Sequence, residues 1–331
     1  MSSFCQLVCP VDHLNLEASE GALTCPAGHR YQTRLGIPRL LALERNYADA
    51  FGEQWNLYRM TQLDSYTNTA ISKDRLKRCL GDVLWQQLEQ LERLEILETG
   101  CGAGRFTEVL LGLTAASVTS TDLSSAVEAN QANCPQSDRH RIIQADINSL
   151  PFLPEQYDLV VCLGVIQHTK DPEQTIADLY NQAKPGGWLI IDHYTPSFAY
   201  YTKVTSLCLR PILKRLSPTI GLRVTEQLTR FFFPIHRTVR WSPFLQMILS
   251  RISPLLTYYH TLPQLNEKLQ YEWALLDTHD NLTDYYKHLR TGSQISRMLR
   301  DLGARDIWVS KGGNGIEARC RKPSRTVEMC S

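Results

Sequence analysis

Apolar and polar positions change period several times along the chain, and each change marks an element. Residues 44–60 and 73–91 carry apolar side chains at three- and four-residue spacing, which predicts two helices. Leu94–Leu97 then runs apolar into Glu98-Thr99-Gly100-Cys101-Gly102-Ala103-Gly104, a buried strand ending in a glycine loop. A helix over 106–113 follows. Ala116–Asp122 is a second strand, ending in an acid. A short strand at 141–143 precedes Ala145-Asp146-Ile147. Tyr157–Gly164 is an apolar fourth strand, and Lys184-Pro185-Gly186-Gly187 turns into a fifth at 188–191. Near the other end, Thr291 opens a helix through Leu302 that Gly303 ends. Residues 305–310 and 315–321 form a closing antiparallel pair around Gly312-Gly313-Asn314-Gly315.

Strands alternating with helices predict an α/β sheet. The glycine loop allows a tight turn and close approach of backbone to a ligand. Glu98 stands at the carboxyl end of the first core strand, where open α/β sheets bind ligands. A glycine loop alone also suits a nicotinamide-binding unit or a plain turn. Asp122, roughly 20 residues on, falls where a ribose-binding carboxylate belongs.

The order and spacing of five segments resemble the class I S-adenosylmethionine-dependent methyltransferases of the ubiquinone/menaquinone-methylase type. These are Glu98–Gly104, Asp122-Leu123-Ser124, Ala145-Asp146-Ile147, Gly164-Val165-Ile166-Gln167-His168-Thr169-Lys170-Asp171-Pro172 and Lys184–Gly187. The resemblance implies a seven-stranded Rossmann-like sheet, an enzyme, and S-adenosylmethionine as its cofactor. It implies that Glu98 or the Gly100 carbonyl takes the donor's amino group and Asp122 its ribose. Asp146 and Ile147 would hold the adenine, with Leu123 opposite. Cys101, Gly102 and Gly104 complete the loop, and Leu163 and Gly164 would approach the methionine portion. Trp55 and Tyr66 would flank the donor or pack in a helical core. His168, after the fourth strand, is a candidate general base, because imidazole titrates near neutrality. Asp192 and His193, ending the fifth strand, are rival bases.

Residues 1–43 predict a small module. Cys9, Asp12, Cys25 and His29 stand in two short knuckles, a donor set suited to tetrahedral zinc. The module resembles the zinc ribbon that accompanies methyltransferases, down to Gly36-Ile37-Pro38-Arg39-Leu40-Leu41. Asp12 stands where that family usually has cysteine. Either Asp12 or Cys5 is then the fourth ligand of a structural metal, or the ribbon folds without one.

The organisation expected is a ribbon (1–43), a helical extension (44–93), a donor-binding core (94–194), an inserted segment (195–290), the end of the core (291–322) and a disordered tail (323–331). The insertion changes the picture of charge. The whole chain carries a formal net charge of +1, yet Glu226 is the only acid between Tyr194 and His260, among nine Lys and Arg. Its basic, aromatic, helical segments predict a cap over the acceptor site, with contact to an anionic membrane or to nucleic acid as alternatives. Asp277, His279 and Asp280 are expected to cap helices or to join the acceptor pocket.

The function expected is methyl transfer to a small or amphiphilic metabolite: a glycan precursor, a lipid-linked sugar or a secondary metabolite. An rRNA or tRNA base methyltransferase and a non-catalytic activator module are the alternatives. Nucleic acid is the less expected partner. There is no apolar leader and no run of about 18 apolar residues. The expected location is therefore the cytoplasm, with a peripheral place on the inner face of the membrane if the insertion docks there.

Overall fold

The structure is a computed structural model that describes residues 4–41, 47–91 and 93–325. Eleven strands form one continuous sheet. They are β1 (Glu17–Ser19), β2 (Ala22–Thr24), β3 (Arg30–Arg34), β4 (Ile37–Leu40), β5 (Glu95–Thr99), β6 (Ser117–Asp122), β7 (His140–Ala145), β8 (Tyr157–Cys162), β9 (Ala183–Tyr194), β10 (Arg305–Gly312) and β11 (Gly315–Arg321), in the spatial order β1-β2-β3-β4-β7-β6-β5-β8-β9-β11-β10. The seven from β7 to β10 are the expected core. Five of them run parallel, and the closing pair is antiparallel.

Period-two alternation explains how this sheet is covered on both faces. In β8, Leu159 and Val161 pack with Leu80, Leu84 and Leu110 on one side. Val160 and Cys162 pack with Ile176, Leu179 and Leu299 on the other. Helices supply those partners: α3 (Ile71–Gln90) and α4 (Arg105–Leu113) on the first face, α6 (Pro172–Gln182) and α12 (Gly292–Asp301) on the second.

The small amino-terminal module continues the core sheet. β4 pairs in parallel with β7, Leu40 opposite Ala145, and so adds four strands to the seven. Cys9, Cys25, Tyr31 and Leu40 belong to the main hydrophobic cluster. Val8 N–H donates to the Pro151 carbonyl at 3.0 Å, and Arg141 donates to the Cys5 carbonyl at 2.8 Å. A piece too small to build its own core has joined the larger one.

The helical extension starts with α1 (Asp49–Leu57), then α2 (Asp64–Thr67), then α3. Residues 44–46 of the expected first helix lie outside the described residues. Gly52 lets α1 press against the loop before α5 (Ala126–Asn133): a Cβ there would fall 2.4 Å from Ser125 Oγ. The insertion forms α7 (Phe198–Thr202), α8 (Val204–Leu213), α9 (Pro218–Thr238), α10 (Pro243–Ile252) and α11 (Glu267–Thr283). α11 packs on α9, α8 and α1, which seats the helical layer over the carboxyl ends of the strands. Of the expected disordered tail, residues 323–325 are described and the rest lie outside.

Candidate active site

Strand order reverses at β5, whose neighbours β6 and β8 lead away in opposite directions. Loops leaving β5, β6, β7, β8 and β9 therefore part there, and a crevice opens beyond their carboxyl ends. A cavity of about 440 Å³ occupies it, lined by Gly100, Gly102, Asp122, Ile147, Gly164 and Tyr194 among others. That volume suits a small-molecule site.

The glycine loop is shaped by backbone constraints. Gly100 has φ +68°, and a Cβ there would sit 2.1 Å from Val165 Cγ2. Gly102 has φ +50°, and a Cβ there would lie 3.5 Å from the Trp55 indole. Asp122 is held from behind. One carboxylate oxygen accepts from Gly102 N–H at 2.9 Å, and the other accepts from Ser124 N–H at 2.8 Å and Ser124 Oγ at 2.7 Å. Burial pushes its pKa up against those bonds.

Not every expected residue reaches the wall. Gly100, Cys101, Gly102, Asp122, Leu123, Ile147, Leu163, Gly164 and His168 line the cavity. Glu98, Gly104, Asp146, Asp192 and His193 do not. Glu98 sits behind the loop, where its carboxylate accepts from Thr107 and Ser120 hydroxyls. Burial raises its pKa to about 7. Gly104 precedes α4 as its cap. Asp146 turns back on its own loop, accepting from Asn148 N–H at 2.9 Å. Strand alternation puts the two rivals of His168 on opposite faces of β9. Asp192 shares the Tyr194 face of β9, but Arg75 and the Gly164 N–H (2.6 Å) take its carboxylate. His193 points to the opposite face, where burial lowers its pKa to about 4. Trp55 lines the cavity, whereas Tyr66 bonds Glu272 and Lys268 outside it.

A second group of lining residues comes from the insertion. Asp277, Asp280 and Asn281 lie on one stripe of α11, and Asp284 extends it one turn further. Asp277 and Asp280 lie within α11, whose N-cap is Asn266 and C-cap Asp284, so they are not caps. His279 faces away, bonded to Gln54. The spacing of Asp277, Asp280 and Asp284 at three and four residues was the available signal. Asp284 sits 3.2 Å from His168 Nδ1, 2.8 Å from Arg210 Nε and 3.1 Å from Lys287 Nζ. Burial disfavours its charge, but Lys287, His168 and Arg210 outweigh this and lower its pKa. Burial disfavours the His168 cation too, yet Asp280 and Asp284 prevail and raise its pKa. Burial lifts Asp280 to about 6. His168 Nε2 and Asp280 Oδ1 are buried without a hydrogen-bond partner among the described residues.

Two cations on the wall also stand out. Among the described residues Arg105 bonds only neutral groups, Ser72 Oγ and Gln62 Oε1, both at 2.8 Å. Burial lowers its pKa to about 10. Lys203 has no acid partner among the described residues, and burial with nearby Arg251 and Lys287 lowers it to about 8.

The model of a methyltransferase domain matches residues 97–191, the stretch from β5 through the end of β9's core pairing. Residues 97–191 are thus a methyltransferase domain, in the stretch where the five motifs predict one. A ubiquinone biosynthesis O-methyltransferase of Pseudomonas savastanoi pv. phaseolicola is 35% identical over 97 residues, which are 28% of this chain and 41% of that protein. A hybrid PKS-NRPS synthetase of Neonectria sp. is 26% identical over 199 residues, 56% of this chain and 5% of that one. The chain thus spans less than half the length of these relatives. Among solved structures, the CurJ carbon methyltransferase aligns with a TM-score of 0.46 at 15% identity, over 85% of this chain and 62% of that one.

The amino-terminal donor set also comes together. Cys9, Asp12, Cys25 and His29 each offer a ligand atom, all within 4.8 Å of one another. His29 Nδ1 lies 3.0 Å from Asp12 Oδ2 and 3.3 Å from Cys25 Sγ. Cys5 is elsewhere, its thiol 3.7 Å from the Gln156 carbonyl. Two sulfurs, one nitrogen and one oxygen at this separation fit a tetrahedral Zn²⁺, whose ligands lie about 2.0–2.3 Å from the metal.

Proposed function

We propose that this methyltransferase transfers a methyl group to a nucleophilic atom of a small or amphiphilic metabolite. One observation carries the reading: a single cavity joins the glycine-loop wall to the His168–Asp280–Asp284 cluster. The residues present fit the donor. Asp122 would accept the ribose hydroxyls, Leu123 and Ile147 would flank the adenine, and Arg105, hydrogen-bonded to the neutral Ser72 and Gln62 side chains, would offer its charge to the methionine carboxylate. Glu98, behind the loop, would support it rather than touch the ligand. When bound, S-adenosylmethionine supplies an already activated methyl on a sulfonium centre.

The chain's own work is then positioning and proton transfer. Both neighbours of His168 Nδ1, the Asp284 carboxylate and the Tyr286 carbonyl at 3.3 Å, are acceptors. They hold the proton on Nδ1 and leave the Nε2 lone pair to take the acceptor's proton. Asp280 and Asp284 stabilise the imidazolium that results. Phe51 and Tyr194 rings, 5.4 and 5.3 Å from the imidazole, keep water from that edge. His168 is therefore preferred over Asp192 and His193 as base. The insertion supplies one wall of the cavity and acts as the acceptor's cap. Cys9, Asp12, Cys25 and His29 would hold a structural Zn²⁺ that ties the two knuckles together.

The test is a cell-extract assay with methyl-labelled donor, partitioned into organic, small aqueous and macromolecular pools. Label in either small-molecule pool, absent with Asp122→Asn, is expected. Label on RNA would overturn the acceptor class. No label in any pool, with no donor binding, would leave only an activator role.

A further inference from the structure

The helix α10 has its faces reversed. Phe244, Met247, Ile248 and Ile252 recur at i, i+3, i+4 and i+8 and all point outward; Phe244 and Ile252 are each 64% exposed. Gln246, 6% exposed, points inward and bonds the ring and carbonyl of His236. A helix on a water-facing surface shows the opposite arrangement. The neighbouring helices repeat the pattern. Phe198 and Tyr201 of α7 and Val204 and Leu207 of α8 are exposed. The three helices are joined: Thr205 Oγ1 donates to the Ile252 carbonyl, and the Arg251 guanidinium lies 5.5 Å from the Phe198 ring centre. An apolar face this extensive marks an interaction surface.

Charge selects what covers it. The segment carries nine cationic residues and one acid, Glu226, which Tyr58 occupies. Arg215, Arg223, Arg230 and Arg240 are exposed, with no acid partner among the described residues. A second copy would bring like charge against like charge. An anionic amphiphilic surface complements both the apolar side chains and the arginines. α8 and α10, ten residues each, are about 15 Å long, suited to lying in an interface and too short to cross it. No described helix is long and apolar enough to span a membrane.

We propose that α7, α8 and α10 seat this methyltransferase on the surface of an anionic lipid bilayer. The apolar side chains enter the headgroup boundary, and exposed arginines of the same segment meet lipid phosphates. Ser197, Tyr200 and Lys203 of the same segment line the cavity. Docking therefore puts the cavity's rim at the lipid boundary, where an amphiphilic acceptor could enter. That last consequence rests on the proposed methyl transfer; the docking does not.

The experiment is flotation of the full chain, without donor, on vesicles of phosphatidylcholine alone or mixed with phosphatidylglycerol. Capture by the mixed vesicles, weakened by salt, is expected. Phe244→Asp and Ile252→Asp, both at exposed positions, should each lower the bound fraction at least about tenfold with unchanged thermal melting. No capture by the mixed vesicles at low salt would overturn the proposal. So would capture that neither substitution affects. A concentration-dependent dimer abolished by Phe244→Asp would assign the face to a second copy and overturn it equally. Donor binding, measured on the same variants, should be unchanged, so a failure of docking and a failure of the methyl-transfer reading are told apart.

Discussion

Gly100→Ala tests how the donor wall is built. At φ +68°, an alanine costs about 1–2 kcal/mol in the left-handed region. Its Cβ would also lie 2.1, 2.9 and 3.0 Å from three Val165 atoms, so Val165 must move. Forced overpacking of that kind adds about 1–3 kcal/mol. The predicted loss is therefore about 2–5 kcal/mol, read from the urea midpoint. Val165→Ala alone should cost about 1 kcal/mol, since the side chain is half-buried. In the double variant the clash disappears and only the backbone cost remains. It should be about 1–3 kcal/mol more stable than the sum of the single changes predicts. Calorimetry with S-adenosylhomocysteine should show weaker binding in Gly100→Ala and partial recovery in the double variant. A Gly100→Ala protein within about 0.5 kcal/mol of wild type, or a double variant that recovers nothing, would refute the close approach.

Three further outcomes are expected. His168→Asn should lower kcat about 10²–10⁴-fold and remove the acid limb of the pH–rate profile, because general-base catalysis is worth that much. In the wild type that limb should fall above the ordinary histidine value, since Asp280 and Asp284 raise His168; a limb unmoved in the variant would dismiss it as base. His279 titrates near 4 when folded against an ordinary 6.5, so the native state binds fewer protons. Its contribution, about 3 kcal/mol, is complete above the unfolded value and lost as pH falls through 4; His279→Gln should remove about one proton from the slope of unfolding free energy in that window. Purified protein should carry one zinc per chain by elemental analysis, and Cys25→Ala should lose it together with several degrees of melting temperature. A metal-free wild type would dispose of the zinc proposal.

Much of the core was readable because its signals are local. Val118 and Val160 sit in runs whose β-branched residues and length mark buried strands, and the acid at Asp122 follows the glycine loop at a fixed interval. The ribbon's place was not readable, because β4 meets β7 across more than a hundred residues and two short residue pairs decide it. Setting His193 apart needed only the period of a strand: Asp192 and Tyr194 share a face, so His193 lies opposite. The Asp192 carboxylate meets Arg75, which arrives from α3 and leaves no mark near it in the chain. Glu98 stands at the right place in its strand, but its side chain turns into the sheet's interior toward Thr107, a contact set by how α4 packs. The insertion's outward apolar stripe was visible as composition, and the buried Gln246 together with the exposed Phe244 and Ile252 shows which way α10 faces.

Titration calorimetry of S-adenosylhomocysteine against wild type and Asp122→Ala tests the central claim most directly. The account predicts one site per chain, weakened in the variant by about 1.5–3 kcal/mol per lost charge-assisted bond, roughly ten- to two-hundred-fold. No binding to the wild type, or equal affinity in the variant, would contradict it.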